Sequence, residues 1–291
     1  MCGLFGMLDY GKNFTGRQRT ALLSALAVES ETRGTDATGI AYRSRGTLHI
    51  WKRPVPAHKL RFSIPDDASV IMGHTRMATQ GSAKKNCNNH PFLGRVGNCR
   101  FALAHNGVLR NDRVLRRQLK LPRTKIRTDS YAAVQLIEKK NALDLASLQS
   151  MAEQVEGSFT FTVLDERNNW YLVKGDSPLC LCHDPGRGLY LYASTEEILD
   201  RALTAMGLRL AQPERIELTC GDLLKIAPDG STVRNKFDNR FFRWSWSVFP
   251  EYSCTSPQNH ISRDGQEYLS AVKSVAASLG YAPESVDHIL E

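Results

Sequence analysis

Apolar residues recur along this chain with two different periods, and the switches between them mark out its elements. Residues 4–8, Leu-Phe-Gly-Met-Leu, form an apolar run of the length of a buried strand. Over 15–32 the spacing lengthens, with Leu22, Leu23, Leu26 and Ala27 on one face of a helix. Residues 38–42 and 47–51 are strand-like runs around the turn Ser44-Arg45-Gly46. Residues 69–74 predict a buried strand, 86–97 a loop rich in Asn, Pro and Gly, and 101–105 another strand. Helices are predicted over 113–119, over 129–139 with Tyr131, Val134, Leu136 and Ile137 inward, and over 143–155. Strands follow at 159–164, 170–173, 189–193 and 215–218, with a helix over 195–206 among them and a last strand at 222–226. Cys180-Leu181-Cys182 alternates as in a strand, which puts both thiols on one packed face. Blocks of strands alternate with pairs of helices rather than in strict strand–helix order. An α+β fold with antiparallel sheets and segregated helices fits this better than a doubly wound parallel sheet.

The pattern changes after about residue 228. Phe237, Phe241, Phe242, Trp244, Trp246, Phe249 and Tyr252 are interleaved with Arg240 and Arg243. A polar linker over 254–260 leads to Asp264-Gly-Gln-Glu267, which resembles a capping box. The helix it opens carries Tyr268, Leu269, Val272, Val275, Ala276 and Leu279 on one face and stops at Gly280. A second short helix begins at Pro283. Residues 229–291 are thus a separate segment. It either docks a partner, as Tyr, Trp and Arg do at interfaces, or folds back into the core.

Composition adds limits more than identity. The chain has 291 residues with 42% hydrophobic and 23% charged content, ordinary for a soluble globular protein with ample core. No apolar run approaches the ~20 residues of a membrane helix, so no membrane association is expected. No basic region followed by an apolar stretch opens the chain, so no secretory signal is expected and a cytoplasmic setting is. The 7 cysteines are odd in number and include no CxxC pair, which suggests neither a disulfide framework nor a metal site. The formal net charge of +8 favours anionic partners. Its densest stretch is Arg113, Arg116, Arg117, Lys120, Arg123, Lys125 and Arg127. That stretch over 113–127 is either a solvated face or a dock for nucleic acid or an acidic protein.

Chemistry enters at Cys2. If Met1 is removed, one residue carries both a thiol and a free α-amine, which titrates near ~8 and is partly unprotonated at neutral pH. That is a nucleophile and its base in one residue. The bland alternative is a thiol that packs as a small hydrophobe. Three further stretches carry polar groups suited to chemistry. In Gly73-His-Thr-Arg76-Met-Ala-Thr79-Gln-Gly81, an arginine can hold a carboxylate through paired hydrogen bonds or join a structural ion pair. In Ala104-His-Asn106-Gly107-Val108, a side-chain amide and a glycine N–H stand side by side, as donors to an oxyanion or as a plain turn. In Arg127-Thr128-Asp129-Ser130, an aspartate at a helix start can cap the helix or bind an ammonium group.

Taken in order, these stretches resemble the glutamine-hydrolysing domain of class II glutamine amidotransferases, which are N-terminal-nucleophile hydrolases. The match is closest to the glutaminase half of glucosamine-6-phosphate synthase and more distant to amidophosphoribosyltransferase. It rests on Cys2-Gly-Leu-Phe-Gly6, Thr32-Arg-Gly34-Thr-Asp36-Ala-Thr-Gly39, His74-Thr-Arg76-Met-Ala-Thr79, Asn89-His90-Pro91, His105-Asn-Gly107 and Thr128-Asp129. It continues with Glu156-Gly157-Ser158-Phe159, Gly175-Asp-Ser-Pro178-Leu179 and Gly221-Asp222, collinear over residues 2–228. The resemblance implies an αββα four-layer sandwich over 2–228, no cofactor and no metal. It implies that Cys2 attacks the side-chain amide of L-glutamine to give a γ-glutamyl thioester and ammonia. Asn106 and Gly107 would form the oxyanion hole, Arg76 would bind the α-carboxylate, and Asp129 the α-amino group. Thr79 lies where the family's loop closes on glutamine, and Arg33 supports the nucleophile. Met77 and Gln80 stand where the sugar-phosphate enzyme has tryptophan and histidine, which alters the pocket lid.

About 60 residues follow the last motif, fewer than a synthetase domain needs. The expectation is therefore a glutaminase that feeds ammonia to a separate acceptor enzyme. Two alternatives are a hydrolase of another γ-glutamyl bond, such as a glutathione-like peptide, and a non-catalytic regulatory module.

Overall fold

A computed structural model describes residues 2–239. The aromatic residues from Phe241 onward, Cys254 and the helices expected beyond residue 264 lie outside the described residues.

In chain order the strands are β1 (Gly3–Asp9), β2 (Ala37–Ser44), β3 (Thr47–Arg53), β4 (Val70–Arg76), β5 (Phe92–Val96) and β6 (Cys99–Leu109). They continue with β7 (Gly157–Asp165), β8 (Trp170–Lys174), β9 (Cys180–Asp184), β10 (Leu189–Ala193), β11 (Glu214–Ile216), β12 (Asp222–Ile226) and β13 (Thr232–Lys236). The helices are α1 (Gly16–Glu29), α2 (Asp112–Gln118), α3 (Tyr131–Lys140), α4 (Leu145–Ala152) and α5 (Glu196–Ala205). One sheet runs β11-β9-β10-β1-β4-β2-β3 and the other β13-β12-β8-β7-β6-β5, with antiparallel pairing throughout.

The period-2 alternation of each strand sorts its side chains between two layers. Leu4 and Leu8 of β1 face the other sheet, among Met72, Ala102, Ala104, Leu172 and Leu224. Phe5 and Met7 point the opposite way, onto Leu22, Leu23 and Leu26 of α1 and Ile198 and Leu199 of α5. On the second sheet Leu103, Phe161 and Val173 pack under Val134 and Ile137 of α3 and Leu148 of α4. The result is helix, sheet, sheet, helix, as the resemblance implies.

Local chemistry fixes where elements begin. Thr15 caps α1 in a capping box with Gln18, and Asp144 caps α4 in another with Ser147. The buried Asp9–Arg19 pair, 2.8 Å apart, ties α1 to the end of β1.

Two features depart from the sequence pattern. Residues 92–96, expected as loop, are the edge strand β5. Phe92 is buried under α3 and Gly94 lies beneath the ring of Phe101, so pairing with β6 overrides the local turn signals. The second is β13, which pairs with β12 and carries the sheet past residue 228. Phe237, the first residue of the aromatic strip, is buried against Phe159 with ring centroids 5.9 Å apart.

Candidate active site

Strand register sets Cys2 beside Arg76 and turns Asn106 toward the first sheet. Gly3 pairs with Thr75, so Cys2 sits at the start of β1 beside Arg76, the last residue of β4. In β6 the pairing runs without interruption from Phe101 to Leu109. Asn106 therefore shares the inward parity of Ala102 and Ala104 and faces the first sheet. Asn106 is fully buried, and neither its Nδ2 nor its Oδ1 has a hydrogen-bond partner among the described residues.

Cys2 is half-buried, and its Sγ lies 3.5 Å from the Met77 carbonyl oxygen. Burial pushes its thiol up, while the nearby Arg76 guanidinium pulls the other way. Arg33 Nε donates to the Cys2 carbonyl at 3.0 Å, and the Leu4 N–H is held by Ser194 Oγ at 2.8 Å. Both ends of the segment that carries the thiol are thus fixed.

Arg76 is buried. It donates to Asn89 Oδ1 at 2.8 Å and to the carbonyls of Gln80 at 2.5 Å and Gly81 at 2.8 Å. A guanidinium has five N–H donors, so two remain for a ligand. The same bonds make Arg76 the anchor of loop 77–82. The loop's other end is fixed by Asp36, whose Oδ2 accepts the Ala78 N–H at 2.8 Å. Thr79 lies on this loop, exposed, and the structure does not bring it to the buried group.

Asp129 is buried, and its Oδ2 accepts the Leu109 N–H at 2.6 Å. That bond ties the end of β6 to the segment before α3. The residue at the cap position of α3 is Ser130, without a side-chain cap bond. Of the two readings open in the sequence, the helix cap is therefore not what the Asp129 carboxylate does here. Gly107 follows Asn106 at φ +138°, and a Cβ there would meet the Ser158 carbonyl oxygen at 2.0 Å. Only glycine lets β7 pass this close.

Three buried histidines join the two sheets behind these groups. His74 Nε2 donates to the His105 carbonyl at 3.0 Å, and its ring lies 4.1 Å from that of His90. Burial lowers all three, His74 to about 3. They are neutral at pH 7, and the His74 bond holds the peptide that precedes Asn106. His74, Asn89 and Asp36 lie within the sequence motifs, but nothing in the motifs gives them a role. Their contacts join strands far apart in sequence, so no spacing rule signals them. Among the described residues no group of three His, Cys, Asp or Glu is arranged to hold a metal ion. No helix among them is long and apolar enough to cross a membrane.

Comparison with known proteins agrees with the fold. Residues 74–201 match the family model of a glutamine amidotransferase domain. The glutamine–fructose-6-phosphate aminotransferase (isomerizing) of Geobacillus kaustophilus is 29% identical over 242 residues, 80% of this chain and 37% of that protein. The enzyme of the same name from Listeria monocytogenes is 29% identical over 256 residues, 85% of this chain and 39% of its own length. This chain thus spans well under half of the curated relatives it matches. Among solved structures, the glutamine phosphoribosylpyrophosphate amidotransferase of B. subtilis superimposes with a TM-score of 0.64 at 21% identity, covering 81% of this chain and 49% of that one. Over residues 74–201 the chain is thus similar to a glutamine amidotransferase domain, and its fold is that of the phosphoribosylpyrophosphate amidotransferase.

Proposed function

We propose that this domain hydrolyses the side-chain amide of L-glutamine at Cys2 and releases ammonia to a synthetase site outside the described residues. The observation that carries this is Asn106, an amide buried with both atoms unpartnered on the inward face of β6. An unpaired buried amide costs about 1–3 kcal/mol, and a ligand oxygen at its Nδ2 offsets that cost.

The Cys2 thiolate attacks the amide carbon, and the C=O electrons move onto oxygen. Asn106 Nδ2–H and the Gly107 N–H donate to that oxyanion. Collapse breaks the C–N bond, the nitrogen leaves as ammonia with the proton taken from the thiol, and a γ-glutamyl thioester remains. Water then attacks the thioester, giving glutamate and the free thiol. The α-amine of Cys2, available once Met1 is removed, carries the proton between these steps. Arg76 binds the α-carboxylate with its two remaining N–H groups, and Asp129 binds the α-ammonium. Thr79, on loop 77–82, closes over the bound head group. The relatives' names supply the further expectation of an amino transfer to a sugar phosphate.

A diazo-ketone analogue of glutamine tests this. Mass spectrometry is expected to find one label, on Cys2, in protein that lacks Met1. Cys2→Ala is expected to abolish both label and ammonia release. A label on Cys87, or full activity in Cys2→Ala, would reject the reading.

A further inference from the structure

Part of loop 77–82 walls a concavity. A cleft of about 560 Å3 lies between Gln80, Gly81 and Ser82 on one side and α2 with residues 126–128 on the other. Four cations line it: Lys85, Arg113, Arg116 and Arg127. Arg116 is committed, lying 3.7 Å from Asp112 and donating to Gln135 Oε1 and the Thr128 carbonyl. Asp112 is the one carboxylate in the lining. The side chains of Lys85, Arg113 and Arg127 make no ion pair or hydrogen bond among the described residues.

Three unpaired like charges around one concavity repel one another, and an anion between them relieves that repulsion. The volume is that of a small-molecule site, and a concave cleft suits a compact ligand better than an extended polyanion. Two arginine forks and a lysine match the oxygens of a phosphate group. We propose that this cleft binds a phosphate-bearing small molecule through Lys85, Arg113 and Arg127, and that the bound anion holds loop 77–82 in place over the Cys2 site.

The coupling follows a chain of hydrogen bonds through the Asn88 side chain. The Arg127 N–H donates to Asn88 Oδ1 at 2.9 Å, and Asn88 Nδ2 donates to the Ser82 carbonyl at 3.0 Å. Gly81, at φ +71°, packs so close to the Arg127 carbonyl that a Cβ would lie 2.4 Å from it. The Gly81 carbonyl in turn accepts from Arg76. An anion that fixes Arg127 and Lys85 therefore steadies the loop that Arg76 anchors.

The binding half stands without the glutamine reading, while the coupling half rests on it. Titration calorimetry on the full chain, in low-salt buffer free of phosphate, separates them. The probes are inorganic phosphate and glucose 6-phosphate. Saturable binding is expected, weakened roughly tenfold or more in Arg113→Gln/Arg127→Gln. The bound anion is also expected to lower the KM for glutamine in the unmodified protein but not in that variant. Equal affinity for both probes assigns the site to free phosphate, and preference for the sugar phosphate assigns it to a phosphorylated metabolite. No saturable binding, equal binding by the double variant, or binding only of a polyanion such as a short oligonucleotide overturns the site. Binding without any change in glutamine KM overturns the coupling. A protein that binds phosphate but releases no ammonia would instead overturn the glutamine reading and leave the cleft standing.

Discussion

At the residue scale, Asn106 and Asp129 differ in what already satisfies them. Asn106 has no partner for either amide atom, whereas Asp129 already accepts the Leu109 N–H. In the proposed reaction the oxyanion at Asn106 would exist only as the transition state is approached. Asn106→Ala is therefore expected to lower kcat about 100-fold with KM little changed. Steady-state kinetics decide it: a rise in KM at constant kcat would move Asn106 out of the oxyanion hole. Asp129→Asn keeps an oxygen for the Leu109 N–H and removes only the charge. A lost charge-assisted bond in a buried site costs about 1.5–3 kcal/mol, or roughly 10- to 150-fold in kcat/KM. A change below twofold would reduce Asp129 to a tether between β6 and the segment before α3.

At the scale of elements, loop 77–82 sits between two groups of contacts. Arg76 holds the Gln80 and Gly81 carbonyls, and Asp36 holds the Ala78 N–H. Gly81→Ala sets a Cβ against the Arg127 carbonyl at a φ of +71° that disfavours alanine. The loop must shift, and the Arg76 bonds with it. The expected outcome is a severalfold rise in the KM for glutamine with a smaller change in kcat and an almost unchanged melting temperature. An unaltered KM would show that the loop does not shape the head-group site. The strands and helices themselves were largely legible from apolar spacing. β5 was not, because Pro91 and Gly94 describe local chain preference while its pairing with β6 depends on Phe92 finding a place under α3.

For the whole molecule, the join between the two sheets sets its response to acid. His74, His90 and His105 are buried, and all are lowered by burial, His74 to about 3. An unfolded histidine takes up its proton near ~6.5. Between that pH and the folded value the unfolded chain binds more protons, so stability falls as pH falls through this window and is unaffected above it. Each such histidine contributes a slope of up to about 1.4 kcal/mol per pH unit. Urea denaturation is expected to give constant stability from pH 8 to 7 and a clear loss at pH 5. A profile flat down to pH 5 would mean that these rings are already paired or hydrated.

The sequence by itself determined the kinds of layer, most of the elements and the ordered set of polar residues around Cys2. Those depend on local spacing and on residue chemistry, which a single chain displays. Only the tertiary structure decided which polar groups meet. Arg76 comes beside Cys2 through the pairing of β1 with β4, Asn106 is turned toward the first sheet by the unbroken register of β6, and Asp129 is held by Leu109. Thr79, in the same motif as Arg76, stays on an exposed loop. Pairing register and burial are set by contacts between residues far apart in the chain. A shift of one residue in β6 would turn Asn106 away from the first sheet without altering any motif.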